Sequence, residues 1–219
     1  MSVAASPVAE LRDAVVLVNG FPLLSGVDLE VAPATLSVLV GANGAGKTSL
    51  LRLLGGLVAL SAGEGTVLGV DLARGDRRLL CRRVGWLGHE GSFYGELTVS
   101  ENLTFAARAL GRPISELAAV LARMGLESRA DTTTKQLSAG QRRRLGLAWL
   151  LLRRAELWLL DEPYASLDDE GRNFFDELLG EVVARGATVL VSAHDPLRSA
   201  SLRPRTLLMA GGRIVEERS

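Results

Sequence analysis

The segment Gly41-Ala42-Asn43-Gly44-Ala45-Gly46-Lys47-Thr48 satisfies the spacing G-x-x-x-x-G-K-[ST]. Glycines at this spacing let successive backbone N–H groups turn inward around phosphate oxygens. Lys47 is placed to reach the β- and γ-phosphates of a nucleotide, and the Thr48 hydroxyl to bind Mg²⁺. The choice of lysine is informative. Of 25 basic residues, only Lys47 and Lys135 are lysine. A chain that otherwise uses arginine has put a compact ammonium, not a planar fork, into this loop.

Two acids form the next candidate. Leu157-Trp158-Leu159-Leu160-Asp161-Glu162 is an apolar run ending in adjacent carboxylates. Asp161 suits a magnesium ligand, and Glu162 suits a base that accepts a proton from, or orients, an attacking water. A third stretch, Leu137-Ser138-Ala139-Gly140-Gln141, opens an apolar helical segment. Ser138 and the Gly140 backbone there present donors to an anion. Arg142, Arg143 and Arg144 crowd that first turn, where cations oppose the helix dipole, so a polyanion nearby is expected to offset them.

These groups need elements to carry them. Leu36 to Val40 reads as a buried strand before the glycine loop, and Thr48 to Leu57 as the helix after it, closing near Gly55 and Gly56. Short strands are expected at Val15 to Val18, Val27 to Val31, Val84 to Leu87, Leu157 to Leu160 and Thr188 to Val191. The segment Gly63 to Gly75 suggests short antiparallel strands, and Thr206 to Glu216 a hairpin turning at Ala210-Gly211-Gly212. Thr98-Val99-Ser100-Glu101 matches a capping box opening a helix to Leu110. Helices are also expected over Ser115 to Met124, Gln141 to Leu152 and Asp168 to Arg185. Strands and helices alternate at both ends with a helical block between them. The class is α/β, with a helical insertion.

Composition narrows the function. The 219 residues suit a single domain, and 47% are hydrophobic, which excludes a disordered chain. No apolar run approaches the ~20 residues of a membrane span. The segment Met1 to Arg12 lacks the basic and apolar regions of a secretory signal. Cys81 alone cannot form an internal disulfide, which suits a reducing compartment. With 25 acids against 25 bases, binding to nucleic acid by bulk charge is not expected.

In chain order the glycine loop, Leu137 to Gln141 and the run ending in Asp161 and Glu162 resemble the nucleotide-binding domain of ABC transporters, a likeness running from Leu11 to Glu217. Ala165-Ser166-Leu167-Asp168 resembles that family's D-loop, and Ser192-Ala193-His194-Asp195 its switch strand. The resemblance implies a P-loop NTPase fold with an N-terminal antiparallel β lobe. It implies one domain over 1–219, with a core at about 10–88 and 153–219 and a helical subdomain at about 90–152. It implies ATP and Mg²⁺ as ligands. Glu162, His194 and Lys47 would be catalytic, and Thr48, Asp161 and His89 would serve the metal. Gly41, Asn43, Gly44, Ala45, Gly46, Lys47, Thr48 and Ser49 would hold the nucleotide. Ser138, Gly140 and Gln141 would complete the site of a second copy in a head-to-tail homodimer. The dimer would dock on an integral membrane permease at the cytoplasmic face of the membrane.

Two positions depart from the family's pattern. His89 stands where a glutamine is usual, and the aromatic that normally stacks on adenine falls at Val18, with Phe21 the nearest ring. Either Phe21 stacks on the base or the base packs on Val18. Gly88-His89, Ala139, the run from Leu151 to Trp158 and His194-Asp195-Pro196-Leu197 resemble the haem-exporter ATP-binding subunit of cytochrome c biogenesis, the CcmA type. A CcmB-type permease would then be the partner. Two other readings keep the cassette: an exporter of drugs, lipids or polysaccharides, and a soluble ABC ATPase of DNA repair or translation.

Overall fold

Buried apolar side chains recur along the first two strands, β1 (Ala9–Val18) and β2 (Phe21–Val31), which pair antiparallel. Asn19 and Gly20, with φ of 51° and 81°, form the tight turn between them. The computed structural model describes residues 6–88, 93–165, 167–194 and 202–218. Both strands start well before the stretches expected from sequence. The alternation is broken by register shifts around Leu11, Ala14 and Leu17, and by Asp13 at φ 45°. Pro22 is tolerated because β2 is the edge strand of the sheet β2-β1-β4-β5, where a missing N–H costs little. β4 (Ala62–Val67) and β5 (Val70–Asp71) complete this antiparallel lobe.

The larger sheet has the order β10-β9-β3-β8-β7-β6. It contains β3 (Leu36–Val40), β6 (Val84–Leu87), β7 (Leu157–Leu160), β8 (Thr188–Ala193), β9 (Arg205–Ala210) and β10 (Arg213–Arg218). All its pairings are parallel except that of β10, which lies antiparallel on the edge. β7 and β8 are buried along their whole length, as strands covered on both faces must be. Alternate side chains therefore serve two cores. Leu159 and Leu190 pack with α1 (Lys47–Leu54) and the antiparallel lobe. Trp158, Leu160, Val189 and Val191 pack on the opposite face with α4 (Ala139–Arg153) and α5 (Asp169–Ala184).

α2 (Val99–Leu110) begins at the expected capping box, Thr98 with Glu101. α3 (Glu116–Met124) stops at Gly125, whose φ is 62°. Leu103 of α2, Leu121 of α3 and Leu147 of α4 share one apolar cluster with α5, so the helical block is welded to the sheet through α4. α1 ends at Leu54, at the expected stop, where Gly55 and Gly56 turn their N–H groups back to Leu51 and Leu53. A 3-10 helix over Arg77–Arg82, capped by Asp76, has no counterpart among the sequence signals.

Parallel pairing has one decisive consequence. Val40 pairs with Ala193, and Leu160 with Val191, so β3, β8 and β7 end together. The segments leaving these three strands converge at one edge of the sheet, where α/β folds hold their ligands.

Candidate active site

The loop 41–48 leaves β3 and is braced from behind. A Cβ on Gly41 would collide with the Met209 carbonyl of β9, so only glycine lets the loop pass β9 this closely. Gly46 has a φ of 105°, and a side chain there would press on the Leu23 carbonyl. Gly212 donates to the Ala45 carbonyl at 3.0 Å and accepts from Ser25 N at 3.0 Å. The β9–β10 turn thus ties the loop to β2. α1 starts directly from this loop with no side-chain cap and no acid in its first turn. Its first N–H groups are left for an outside acceptor, beside the positive end of the helix.

Lys47 is 5% exposed, and its Nζ donates to Gly41 O at 2.6 Å and Ala42 O at 3.2 Å. The ammonium is curled inside its own loop. Thr48 Oγ1 is 2.9 Å from Asp161 Oδ2 and 3.1 Å from Oδ1, so its single proton can go to either oxygen. Asp161 is buried and also accepts from Ser192 Oγ at 2.7 Å. The same Ser192 oxygen accepts from Glu162 N at 2.9 Å. Ser192 therefore locks the end of β7 to the end of β8.

Glu162 has a φ of 48°, rare for a residue with a side chain and costing about 1–3 kcal/mol. This turn breaks the line of β7 and aims the carboxylate at β8. There Glu162 Oε1 lies 3.3 Å from His194 Nε2. Arg143 of α4 supports the turn from outside, donating to Gly88 O at 3.1 Å and Glu162 O at 3.4 Å. Burial pushes the Arg143 guanidinium below the ordinary arginine range, and the nearby Asp161 carboxylate pulls it back up.

The structure brings Lys47, Thr48, Asp161, Glu162 and His194 to one edge of the sheet, with the backbone of Gly41, Asn43, Gly44, Ala45 and Gly46. Ser49 sits half-buried in the first turn of α1. Ser138, Gly140 and Gln141 stand apart: among the described residues, no hydrogen bond joins them to the loop. Ser138 and Gln141 form a capping box, with bonds of 3.2 Å and 3.0 Å, leaving the N–H groups of Ala139 and Gly140 without intrahelical partners. Phe21 opens β2 with its residue surface 75% exposed. His89 lies outside the described residues.

Carbonyls of the chain itself receive the three arginines of α4: Leu137 O for Arg142, Gly88 O and Glu162 O for Arg143, Met124 O for Arg144. Arg144 also lies 4.9 Å from the centre of the Phe174 ring. The sequence alone assigns no role to the Ser192 hydroxyl or to Arg143. A lone serine near the end of the buried strand β8 is the available signal for the first; nothing local marks the second.

None of the described helices is long and apolar enough to cross a membrane. Comparison with known proteins agrees with the geometry. The family described as ABC transporter matches residues 24–165. The cytochrome c biogenesis ATP-binding export protein CcmA 2 of Cupriavidus metallidurans is 40% identical over 195 residues, 88% of this chain and 92% of that protein. The solved ATP-binding subunit of an ABC transporter superposes with a TM-score of 0.86 at 25% identity, covering 97% of this chain and 90% of that one. A dimeric ATP-binding cassette in a post-hydrolysis state, bound to ADP and Pi, shares the fold with a TM-score of 0.83 at 22% identity, over 96% and 98% of the two chains. The loop at the end of β3, the acids at the end of β7 and these likenesses agree: the chain belongs to the ABC transporter family, in the group of its CcmA-type ATP-binding subunits.

Proposed function

We propose that this ABC ATPase hydrolyses ATP at the edge of the large sheet to power an export step in the biogenesis of c-type cytochromes. The hydrolytic reading rests on the Glu162–His194 pair, 3.3 Å apart beside the phosphate loop. Lys47 leaves the Gly41 and Ala42 carbonyls for the β- and γ-phosphates when nucleotide enters. Backbone N–H groups of residues 41–49 cradle those phosphates. Glu162 takes the proton of the attacking water. The water oxygen bonds to the γ-phosphorus as its bond to the bridging oxygen breaks, and ADP keeps that electron pair. His194 donates to a γ-phosphate oxygen and holds it in line.

The donor set fits Mg²⁺. The Thr48 hydroxyl and Asp161 carboxylate are hard oxygens one hydrogen bond apart. When bound, the ion neutralises phosphate charge.

A second copy completes the site. Ser138, Gly140 and Gln141 carry free donors on the N-terminal end of α4 yet make no hydrogen bond to their own loop, so they serve the loop of a head-to-tail partner. Phe21, paired with Val18 across the turn at the tip of the β1–β2 hairpin, stacks on adenine. Within each copy a core, about 10–88 and 153–219, carries the nucleotide loop, and a helical subdomain, about 90–152, carries the donors offered to the partner. The dimer docks on an integral membrane permease of the CcmB type at the cytoplasmic face of the membrane.

The test is Glu162→Gln in the purified chain. Turnover falls by about 10²–10⁴-fold, and ATP holds the protein as a dimer in size-exclusion chromatography. Turnover like the wild type's sinks the assignment of Glu162.

A further inference from the structure

Arg82, Arg108, Arg112 and Arg153 line a cleft of about 430 Å³ at the end of α2. No acidic side chain borders it. Among the described residues, none of these four guanidiniums pairs with a carboxylate. This occurs in a chain whose charges otherwise balance, 25 against 25.

Helix capping explains part of the cluster. The C-terminal ends of α2 and α4 meet here, each worth about half a negative charge. Arg112 donates to Leu152 O at 3.2 Å, and Arg153 to the Cys81 carbonyl. Arg82 and Arg108 are exposed, and their guanidiniums make no hydrogen bond among the described residues. Two half charges against four whole ones leave a surplus of about three. Burial also pushes the Arg153 guanidinium below its ordinary range. An anion in the cleft would reverse that.

The position separates this cleft from the nucleotide. Arg82 precedes β6 and Arg153 precedes β7, so both lie at the N-terminal ends of these strands. The phosphate loop follows the opposite end of β3.

We propose that the cleft is a second anion site, for a phosphate ester. Guanidinium forks match pairs of phosphate oxygens. The volume leaves room for the group that the phosphate esterifies. A phospholipid headgroup and a soluble glycerol phosphate share this chemistry.

The test uses the full chain with its nucleotide site filled by MgADP. One arm measures sedimentation with phosphatidylcholine vesicles, with and without phosphatidylglycerol. The other titrates glycerol 1-phosphate. Arg82→Gln/Arg108→Gln is compared with Arg74→Gln/Arg129→Gln, which removes the same charge from exposed positions outside the cleft. Phenylglyoxal labelling of Arg82 and Arg108 in the wild type, read by mass spectrometry with and without each probe, gives an answer free of variants. A loss of about tenfold or more in the cleft variant alone, with protection from labelling, supports the site. Dependence in the vesicle arm assigns a lipid headgroup, and in the titration arm a soluble ester. Equal losses in both variants, or binding of neither probe, overturns the proposal.

Discussion

Thr48 and Asp161 stand 113 positions apart in the chain, yet the Thr48 hydroxyl donates to the Asp161 carboxylate at 2.9 Å. The bond joins the helix after β3 to the acid after β7, with β8 between the two strands. Ser192 at the end of β8 donates to the same carboxylate at 2.7 Å. Three strand ends are thus laced through one side chain. The register of the parallel sheet, not any local turn, sets the spacing of these groups.

Lys47 is buried and bonded to two carbonyls of its own loop. Lys47→Ala and Lys47→Arg are both expected to weaken ATP binding by about ten- to a hundredfold, measured by titration calorimetry. Arginine keeps the charge, but a planar fork cannot occupy the space of an ammonium inside the loop. Wild-type affinity in Lys47→Arg would show that charge alone suffices.

Ser192→Ala removes the acceptor of Glu162 N and the donor to Asp161. Ser192 is fully buried, so the orphaned groups cost about 1–3 kcal/mol. The melting temperature should fall by roughly 2–4 °C per kcal/mol. The ATPase rate should fall with it, because Glu162 loses the contact that fixes its turn. An unchanged melting temperature contradicts the locking role.

Much of the frame is legible in sequence, because its signals are local. The glycine loop, the apolar run ending in Asp161 and Glu162, and the Thr98–Glu101 capping box are each read within a few residues. What sequence hides is non-local. Arg143 gains its meaning only when α4 packs beside Gly88 and Glu162, far from it in the chain. The early halves of β1 and β2 are masked by register shifts that blur the alternation. The carbonyls that receive the arginines of α4 are likewise invisible in their spacing.

In the proposed mechanism Arg143, bonded to the Glu162 carbonyl, serves as a positioning residue. Arg143→Gln should lower kcat by about ten- to a hundredfold with little change in nucleotide affinity. Arg143→Lys, which can keep one of the two carbonyl bonds, should recover part of the rate. A variant that loses nucleotide affinity but keeps kcat contradicts this role.

Arg83 donates to Glu156 at 2.6 Å and 2.9 Å and to Leu68 O at 2.7 Å, joining the foot of β7 to the antiparallel lobe. This pair holds the Glu156 carboxyl below the usual carboxylate range, chiefly through the side-chain hydrogen bond. A lowered folded-state pKa stabilises above the unfolded value, and that stability is lost as pH falls through the folded value. Both side chains are well exposed, so the gain is at most about 1 kcal/mol. Glu156→Gln should melt slightly below the wild type at neutral pH, and the gap should close in acid. A gap that widens in acid contradicts the sign.

The central claim is that this site drives the maturation of c-type cytochromes. Its most direct test is covalent haem in exported c-type cytochromes of the native host, with the chromosomal copy carrying Glu162→Gln. Haem-stained bands should be lost while the apo-cytochromes are still exported. Unchanged bands, in a host shown to make such cytochromes, would contradict the claim.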